Sequence, residues 1–267
     1  MTVIERIASL TVVDFEALAK NDSKEIQKLV QACQSVGMFY LKLGDSRLKS
    51  VYEDIPSLIQ AGNAFFKLPP DSEEKKQSIR EGMERGYHAA KTFQYYEIAR
   101  NEYEQGQWTM PASLAPHEER ISRTLRSLHH AIQTILVKLC AAVQVDIPEL
   151  NDDAAIPSDT ALKLVYKPPI QEPGAIVQPC HTDFGLMTLM WYDAVSAQIP
   201  IYDTEGNRTE DWQAVPVVEG AVLVNIADEL EAKSGGRLRS TVHRAVTPPG
   251  PKQVRNGLVY LLRPYMN

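Results

Sequence analysis

The sequence contains few cysteines, and their positions do not suggest a disulfide framework. Cys33, Cys140 and Cys180 are an odd number at wide spacing among 267 residues. Small secreted domains held by disulfides carry many closely spaced cysteines, so a reducing compartment is expected instead. The N-terminal segment carries acids and lacks a long apolar block, which is not the pattern of a signal peptide. We therefore expect a cytoplasmic protein.

Long runs of basic residues and long runs of apolar residues are also missing. Lysine and arginine number 28 against 34 acidic residues, and the formal net charge is −6. No basic run is long enough to follow a phosphate backbone, so nucleic acid is not an expected partner. No apolar stretch approaches the roughly 18 residues that a membrane-spanning helix needs, so a membrane is not expected either. Internal repeats and low-complexity segments are absent from the sequence.

The chain does have enough apolar residues for a packed core. Hydrophobic residues make up 44% and charged residues 23% of the sequence, which are ordinary proportions for a globular protein. At this length one large domain, or a core with a helical extension, is the usual outcome. The composition changes near residue 157. We therefore predict a helical and mixed region, 1–157, that packs on a β-rich region, 158–267, as one integrated unit.

The N-terminal region opens with strand and helix patterns. Short strands are predicted over Ser9–Phe15 and Met38–Leu43. Between them runs a helical pattern that Asp22 or Ser23 can cap at its start and Gly37 can end. The opening is thus predicted to be a βαβ-like unit.

Two longer helices are predicted further along, over 48–66 and 118–145. The second carries apolar residues spaced three and four apart, which form one stripe along the helix. His129 and His130 lie beside that stripe, where a packed or solvated histidine is more common than a metal ligand. The aromatic-rich segment 86–111 shows no clear period and is predicted to be a long irregular connection.

After residue 157 the sequence becomes a series of short β-like runs separated by turn residues. This pattern is typical of an antiparallel β-sandwich or barrel. The runs are "ALKLVY", "GLMTLMWYD", "QIPIYD", "DWQAVPVV", "AVLVNIA", "RSTVHRAV" and "GLVYLLRP".

A histidine and an aspartate stand one residue apart in "QPCHTDFGLMTLMWYD". In an extended strand residues i and i+2 point to the same face, so His181 and Asp183 aim at one point while Thr182 points away. Alone, such a pair is more often two polar surface residues. His243 shifts the balance, because it lies inside the strand-like run "RSTVHRAV", where a titratable side chain is unusual.

Two histidines and one carboxylate are the ligand set that holds Fe(II) with open coordination positions. A structural zinc site would add a fourth protein ligand, commonly cysteine. Cys180 adjoins His181, but on a strand its side chain points to the other face, so we do not expect it to be a ligand. The pattern favours an iron site with room for a cosubstrate and oxygen.

The ordered motifs resemble the isopenicillin N synthase-like family of Fe(II)/2-oxoglutarate-dependent dioxygenases. The resemblance rests on "HTDFGLMTLM", "AVLVNIADELEAKSGGRLRSTVHRAV" and "RNGLVYLLRP", and more weakly on "ACQSVGMFYLKL" and "FFKLPPDSEEK". It runs from about Leu10 to Pro264. It implies an α+β fold in which a double-stranded β-helix, or jelly roll, is flanked by N-terminal helices.

The resemblance also implies an activity. The protein would oxidise an unactivated C–H bond of a small molecule, by hydroxylation, desaturation or oxidative ring closure, while 2-oxoglutarate is decarboxylated to succinate. Fe(II) would be held by His181, Asp183 and His243, and O2 would be consumed. Arg255 matches the family arginine that pairs with the far carboxylate of 2-oxoglutarate, for which a guanidinium offers two parallel donors. A secondary-metabolic or amino-acid-derived substrate is expected from the family.

Two departures from the family pattern concern the cosubstrate. The usual Arg-x-Ser is Arg255-Asn256-Gly257 here, so one hydroxyl is missing, at a cost of about 0.5–1.5 kcal/mol for one hydrogen bond. The family tyrosine that touches 2-oxoglutarate is replaced by Lys167, and Tyr166 is one residue off, on the opposite strand face. Lys167 either supplies a charge to the cosubstrate or is an exposed strand-edge lysine, and both residues stay candidates for cosubstrate contact.

Candidates for substrate contact are Tyr87, Phe93 and Phe184. The first two lie in a stretch that corresponds to the pocket lining of relatives, and Phe184 follows the metal pair. Core packing is the commoner role for such aromatic residues. Two other functions remain open, namely an iron oxidase that works without 2-oxoglutarate, as isopenicillin N synthase does, and a non-catalytic β-sandwich module that binds metal. The sequence does not indicate an oligomeric state.

Overall fold

The fold consists of two β-sheets with helices packed on the larger one. The structure, a computed structural model, describes residues 6–80, 84–153, 155–169, 172–203, 207–248 and 252–266. The helices described are α1 (Phe15–Ala19), α2 (Ser23–Ser35), α3 (Lys49–Phe66), α4 (Glu73–Gln77), α5 (Arg100–Glu104), α6 (Glu118–Val143) and α7 (Asp228–Lys233), with 3₁₀ turns at Ala115–His117 and Pro148–Asn151.

The strands alternate with these helices in the first half and dominate the second. They are β1 (Val12–Asp14), β2 (Met38–Lys42), β3 (Gly86–Ala89), β4 (Gln94–Ala99), β5 (Ala161–Lys167), β6 (Ile176–His181), β7 (Met187–Tyr192), β8 (Ala197–Tyr202), β9 (Arg208–Ala214), β10 (Ala221–Ile226), β11 (His243–Val246) and β12 (Arg255–Leu262).

The larger sheet has eight strands in the order β1-β2-β10-β7-β12-β5-β4-β3, and the smaller has four in the order β6-β11-β8-β9. The named strand pairs are antiparallel except β1 with β2, which are parallel, as the predicted βαβ-like opening requires. Two facing antiparallel sheets flanked by helices are the predicted jelly-roll core. Strands β1 to β4 extend the larger sheet at both edges, so that sheet contains strands from both sides of residue 157.

The three long helices α2, α3 and α6 form where the sequence pattern predicts them. The side chain of Asp22 accepts hydrogen bonds from the backbone N–H groups of Lys24 (2.8 Å) and Glu25 (3.1 Å), which caps α2 at its start. The apolar stripe of α6 is buried, and α6 contacts α2, α3 and β12. His129 on α6 is buried, with its Nδ1 2.8 Å from the hydroxyl of Tyr260, so it is a packed histidine as expected. No described helix is long and apolar enough to cross a membrane.

Two local predictions are wrong. Segment 86–111 is not an irregular connection, because it begins with the hairpin β3–β4, and β4 pairs along its length with β5. Its strand partner lies more than sixty positions away in the chain, so no local period could indicate the pairing. The first strand is also shorter than predicted, since Asp14 caps a helix that starts at Phe15.

Gly37 fits α2 against the segment that leads to His243. Its φ is +77°, and a Cβ there would lie 2.0 Å from the carbonyl oxygen of Arg239 and 2.7 Å from Oγ1 of Thr241. The same contact includes a hydrogen bond from the Thr241 hydroxyl to the carbonyl oxygen of Val36 (2.9 Å). The close approach therefore supports the chain immediately before a candidate ligand.

We expect Gly37→Ala to lower the free energy of unfolding strongly. The left-handed backbone costs a residue with a Cβ about 1–2 kcal/mol, and the collision with Arg239 adds about 1–3 kcal/mol. Urea unfolding measures the loss. Gly106→Ala is the matched control, because Gly106 has a φ of +69° but nothing within 4 Å of the added Cβ. Equal losses in the two variants would show that the contact with Arg239 has no importance.

Candidate metal centre

The two candidate histidines face each other across a strand ladder of the smaller sheet. His181 ends β6 and His243 begins β11, and the two are direct partners in the antiparallel register. Their ring centroids are 4.3 Å apart. Asp183 lies two residues beyond His181, after β6 has ended.

The ligand atoms of His181, Asp183 and His243 all lie within 4.8 Å of one another. Oδ1 of Asp183 is 3.7 Å from Nε2 of His181 and 3.6 Å from Nε2 of His243. The three side chains could therefore hold one metal ion together. Among the described residues no other group of three or more histidine, cysteine and acidic side chains brings its ligand atoms this close together. Cys180 is exposed and outside it.

Backbone carbonyl groups orient both imidazoles. Nδ1 of His181 is 2.9 Å from the carbonyl oxygen of Pro179, and Nδ1 of His243 is 3.0 Å from that of Thr241. Because a carbonyl oxygen only accepts, each Nδ1 carries the proton and each Nε2 presents its lone pair to the cluster. The side-chain amide of Gln178 lies 2.9 Å from Nε2 of His181, so Gln178 must turn away when an ion binds there.

Hydrogen bonds also hold the carboxylate. Nδ2 of Asn225 on β10 donates to Oδ2 of the Asp183 carboxylate (3.1 Å). The backbone N–H of Asp228 donates to the backbone carbonyl oxygen of Asp183 (3.0 Å). The Thr182 hydroxyl donates to Asp228 (2.9 Å), so its side chain points away from the cluster as predicted. Burial raises the pKa of Asp183, but attraction to His243 when that ring is protonated, together with hydrogen bonding, outweighs the effect of burial and keeps the pKa of Asp183 below its usual value.

The charge state of His243 also suits a metal ligand. Burial lowers the pKa of this imidazole more than the neighbouring Asp183 raises it. The ring is therefore neutral at physiological pH, and the neutral ring is the form that binds metals.

A cavity of about 470 Å³ contains the cluster. This volume is in the range of small-molecule sites in proteins. Its floor is the inward face of β5, β7 and β12, because alternate residues of each strand share that face. The lining residues include Thr92, Phe93, Tyr95, Lys163, Val165, Lys167, Gln178, Met190, Tyr192, Val259 and Leu261, beside the three candidate ligands.

Arg255 and Lys167 lie together at one end of the inward face. They are direct partners on β12 and β5, and 3% and 8% of their surfaces are exposed. Strand β5 is interior to its sheet, so Lys167 is not an exposed strand-edge residue. Burial, followed by the charge of Arg255, lowers the pKa of Lys167 to about 8.

Tyr166 is not part of the site. Its ring packs on Phe66, 5.7 Å between centroids, on the face of β5 that the helices cover. The strand alternation that sends Lys167 inward sends Tyr166 outward, as the sequence indicates. A contact between Tyr166 and a cosubstrate in the cavity is therefore not supported.

The three aromatic candidates for substrate contact have different fates. Phe93 lines the cavity and stacks on Tyr95, with centroids 6.1 Å apart and planes at 10°. Tyr87 is buried in the core against Phe65, 5.4 Å between centroids, and does not line the cavity. Phe184 is 57% exposed and lies outside the cavity. Contact roles for Tyr87 and Phe184 are therefore not supported.

Sequence reasoning did not find several residues that line the cavity or support the cluster. Tyr95 and Lys163 were hidden by the missed pairing of β4 with β5. Tyr192 and Asn225 could have been found from the sequence. Each is a polar residue in an otherwise apolar strand, where a buried polar group needs a hydrogen-bond partner.

Comparisons with known proteins agree with this architecture. The model of the 2OG-Fe(II) oxygenase superfamily matches residues 158–264, and the model described as "non-haem dioxygenase in morphine synthesis N-terminal" matches residues 10–125. A 2-oxoglutarate-dependent dioxygenase of Gibberella zeae is 25% identical over 97% of this chain and 80% of its own length. Another from a Dothideomycetidae species is 27% identical, over 96% and 82%.

A solved structure shares the fold at lower identity. The dioxygenase for auxin oxidation in rice superposes with a TM-score of 0.75 at 18% identity, covering 96% of this chain and 83% of that chain. The predicted jelly-roll fold is confirmed by this likeness.

Proposed function

Because this chain belongs to the family of Fe(II)/2-oxoglutarate-dependent dioxygenases, we propose that it oxidises an unactivated C–H bond of a small molecule held in the cavity. The chain is a non-haem dioxygenase that uses Fe(II), 2-oxoglutarate and O2. One observation carries the proposal, namely that the His181–Asp183–His243 cluster lies inside a cavity of about 470 Å³. Hydroxylation, desaturation and oxidative ring closure are its three candidate outcomes.

The donor set fits Fe(II). Two imidazole nitrogens and one carboxylate converge, and no fourth histidine, cysteine or acidic ligand joins them in the part of the chain that the structure describes. We propose that His181, Asp183 and His243 hold the ion. When bound, Fe(II) with 2-oxoglutarate supplies the activation of O2 that cleaves a C–H bond, while the 2-oxo acid leaves as succinate and CO2.

The protein's own contribution is position and exclusion of water. The carbonyl oxygens of Pro179 and Thr241 keep each Nε2 aimed inward, and Asn225 keeps the carboxylate turned to the same point. We propose that Arg255 binds the far carboxylate of 2-oxoglutarate. The apolar floor of the cavity, including Met190 and Val259, keeps water from the reacting carbon.

The two other functions considered from the sequence are less well supported. A structural metal site would be closed by a fourth protein ligand, whereas this cluster opens into a cavity. An oxidase that works without 2-oxoglutarate is disfavoured because the relatives from Gibberella zeae and the Dothideomycetidae species are named 2-oxoglutarate-dependent dioxygenases.

We also propose the wider setting of the enzyme. The net charge of −6 supports a free small molecule rather than nucleic acid as the substrate, of secondary-metabolic or amino-acid-derived character. Three free cysteines support a reducing, cytoplasmic location. Regions 1–157 and 158–267 act as one catalytic unit, since strands from both share the larger sheet.

A substrate screen tests this function. The Fe(II)-loaded protein is incubated with 2-oxoglutarate, O2 and candidate small molecules, and succinate release and product mass are measured. A substrate is expected to accelerate succinate release and to yield a product heavier by one oxygen atom or lighter by two hydrogen atoms. A protein that binds Fe(II) but releases no succinate, with or without any candidate, would contradict the proposal.

A further inference from the structure

Two buried cations lie side by side, and neither forms an ion pair among the residues that the structure describes. Arg255 and Lys167 face each other across the β12–β5 ladder, and like charges in such a pair repel. Among the described residues neither forms an ion pair, and the hydrogen bond of the Arg255 guanidinium goes to the carbonyl oxygen of Val246 (3.2 Å). The nearby carboxylate of Asp193 is engaged by the backbone and side-chain nitrogens of Asn256 (2.9 and 2.7 Å).

Buried charges without partners are costly, so a buried pair beside the cavity, which Lys167 lines, points to an anionic ligand. The ammonium of Lys167 has no hydrogen-bond partner among the described residues, and its contact is the ring of Tyr192, 5.4 Å from the nitrogen. Both Lys167 and Tyr192 line the same cavity as the metal cluster.

Tyr192 explains why residue 257 is glycine. Gly257 and Tyr192 are direct partners on β12 and β7. A Cβ at Gly257 would lie 2.3 Å from Cε1 and 2.6 Å from Cδ1 of the Tyr192 ring, so the ring fills the space of any side chain there. Burial raises the pKa of Tyr192, which keeps its hydroxyl protonated and able to donate.

We infer that Lys167 and Tyr192 complete, with Arg255, the pocket for the far carboxylate of 2-oxoglutarate, and that the Tyr192 hydroxyl replaces the one that Gly257 lacks. The inference rests on the proposed function and identifies the residues by which this chain selects a dicarboxylate. Two cations and one neutral donor converge on an anion, and the ligand removes the repulsion between Lys167 and Arg255. The glycine is then a consequence of the tyrosine.

Equilibrium titration tests the inference without turnover. Fe(II)-loaded protein is titrated anaerobically with 2-oxoglutarate, and the visible charge-transfer band of the chelate gives its dissociation constant. Lys167→Met is expected to weaken the binding of 2-oxoglutarate by roughly ten- to hundredfold, which is the effect of losing one charge-assisted hydrogen bond. Tyr192→Phe keeps the ring over Gly257 but removes the hydroxyl, and is expected to weaken the binding of 2-oxoglutarate by roughly three- to tenfold.

Two controls separate local contact from general effects. Lys24→Met removes the same charge from an exposed position on α2 and should leave the 2-oxoglutarate affinity unchanged. 2-Oxobutanoate has the same chelating end but no far carboxylate, so its weaker affinity should be equal in the wild type and in Lys167→Met. Unchanged 2-oxoglutarate affinity in both Lys167→Met and Tyr192→Phe would overturn the inference. A wild-type protein that gives no band with 2-oxoglutarate would instead overturn the proposed function.

A double substitution tests whether the Tyr192 hydroxyl takes the place of a serine hydroxyl at position 257. Gly257→Ser forces the Tyr192 ring out of place, so this variant is expected to bind 2-oxoglutarate less tightly than the wild type. Adding Tyr192→Ala removes the collision and presents the serine hydroxyl, so the double variant is expected to recover affinity relative to Gly257→Ser. Circular dichroism checks that each variant is folded. Wild-type affinity in Gly257→Ser alone would show that the ring does not occupy this space.

Discussion

Replacing His243 with alanine is expected to abolish tight Fe(II) binding and, with it, succinate formation. The imidazole is one of three converging donors, and its Nε2 lies 3.6 Å from the carboxylate oxygen of Asp183. Loss of residues that merely support metal ligands already costs about 10–100-fold in affinity, so loss of a ligand is expected to cost roughly a hundredfold or more. The remaining pair, His181 and Asp183, holds an ion too weakly to form the ternary complex with 2-oxoglutarate.

Anaerobic Fe(II) titration, read by the charge-transfer band with saturating 2-oxoglutarate, measures the His243→Ala effect. His130→Ala is the matched control, because His130 is an exposed histidine on α6, away from the cavity. The control should bind Fe(II) as the wild type does. Wild-type Fe(II) affinity in His243→Ala would remove this residue from the site and with it the proposed geometry.

Arg255→Ala is expected to have the second-largest effect, on 2-oxoglutarate rather than on iron. The guanidinium is almost fully buried, and truncating one partner of a buried, hydrogen-bonded charge pair costs about 2–5 kcal/mol, or roughly 30-fold or more in affinity. The half-saturating concentration of 2-oxoglutarate should rise by that factor, while Fe(II) affinity stays close to the wild-type value. Lys167 remains in the variant and prevents complete loss of binding.

The measurements are the same anaerobic titration and the steady-state dependence of succinate release on 2-oxoglutarate. Arg255→Lys gives a graded comparison, because it keeps the charge but loses the two parallel donors, and we expect an intermediate affinity. Fe(II) binding in each variant is measured separately. An Arg255→Ala protein with unaltered 2-oxoglutarate affinity would show that the far carboxylate is bound elsewhere.

Much of the metal centre was predictable because its determinants are local. The spacing of two residues predicts that His181 and Asp183 aim at one point, and their side chains do lie together although β6 ends at His181. His243 is a candidate because a titratable side chain is unusual inside a strand-like run. The capped start of α2 and the stripe of α6 were predictable for the same reason, since caps and helical periods depend on residues a few positions apart.

The errors concern contacts between distant segments. The hairpin β3–β4 was missed because its stability comes from pairing with β5, far along the chain. For the same reason the sequence does not show that Tyr87 lies in the core and Phe184 at the surface. A burial pattern within one segment does not say which other segment covers it.

By itself, then, the sequence indicated the three candidate ligands, the class of fold and the capped start of α2, because each depends on short-range periodicity or on an ordered set of motifs. Only the tertiary structure decided that Lys167 is buried beside Arg255, and that the ring of Tyr192 occupies the space over Gly257. These arrangements depend on the register between strands that are distant in sequence. A shift of one residue in that register would place a neighbour of Arg255 opposite Lys167, and the alternation within β5 alone does not say which residue of β12 lies opposite.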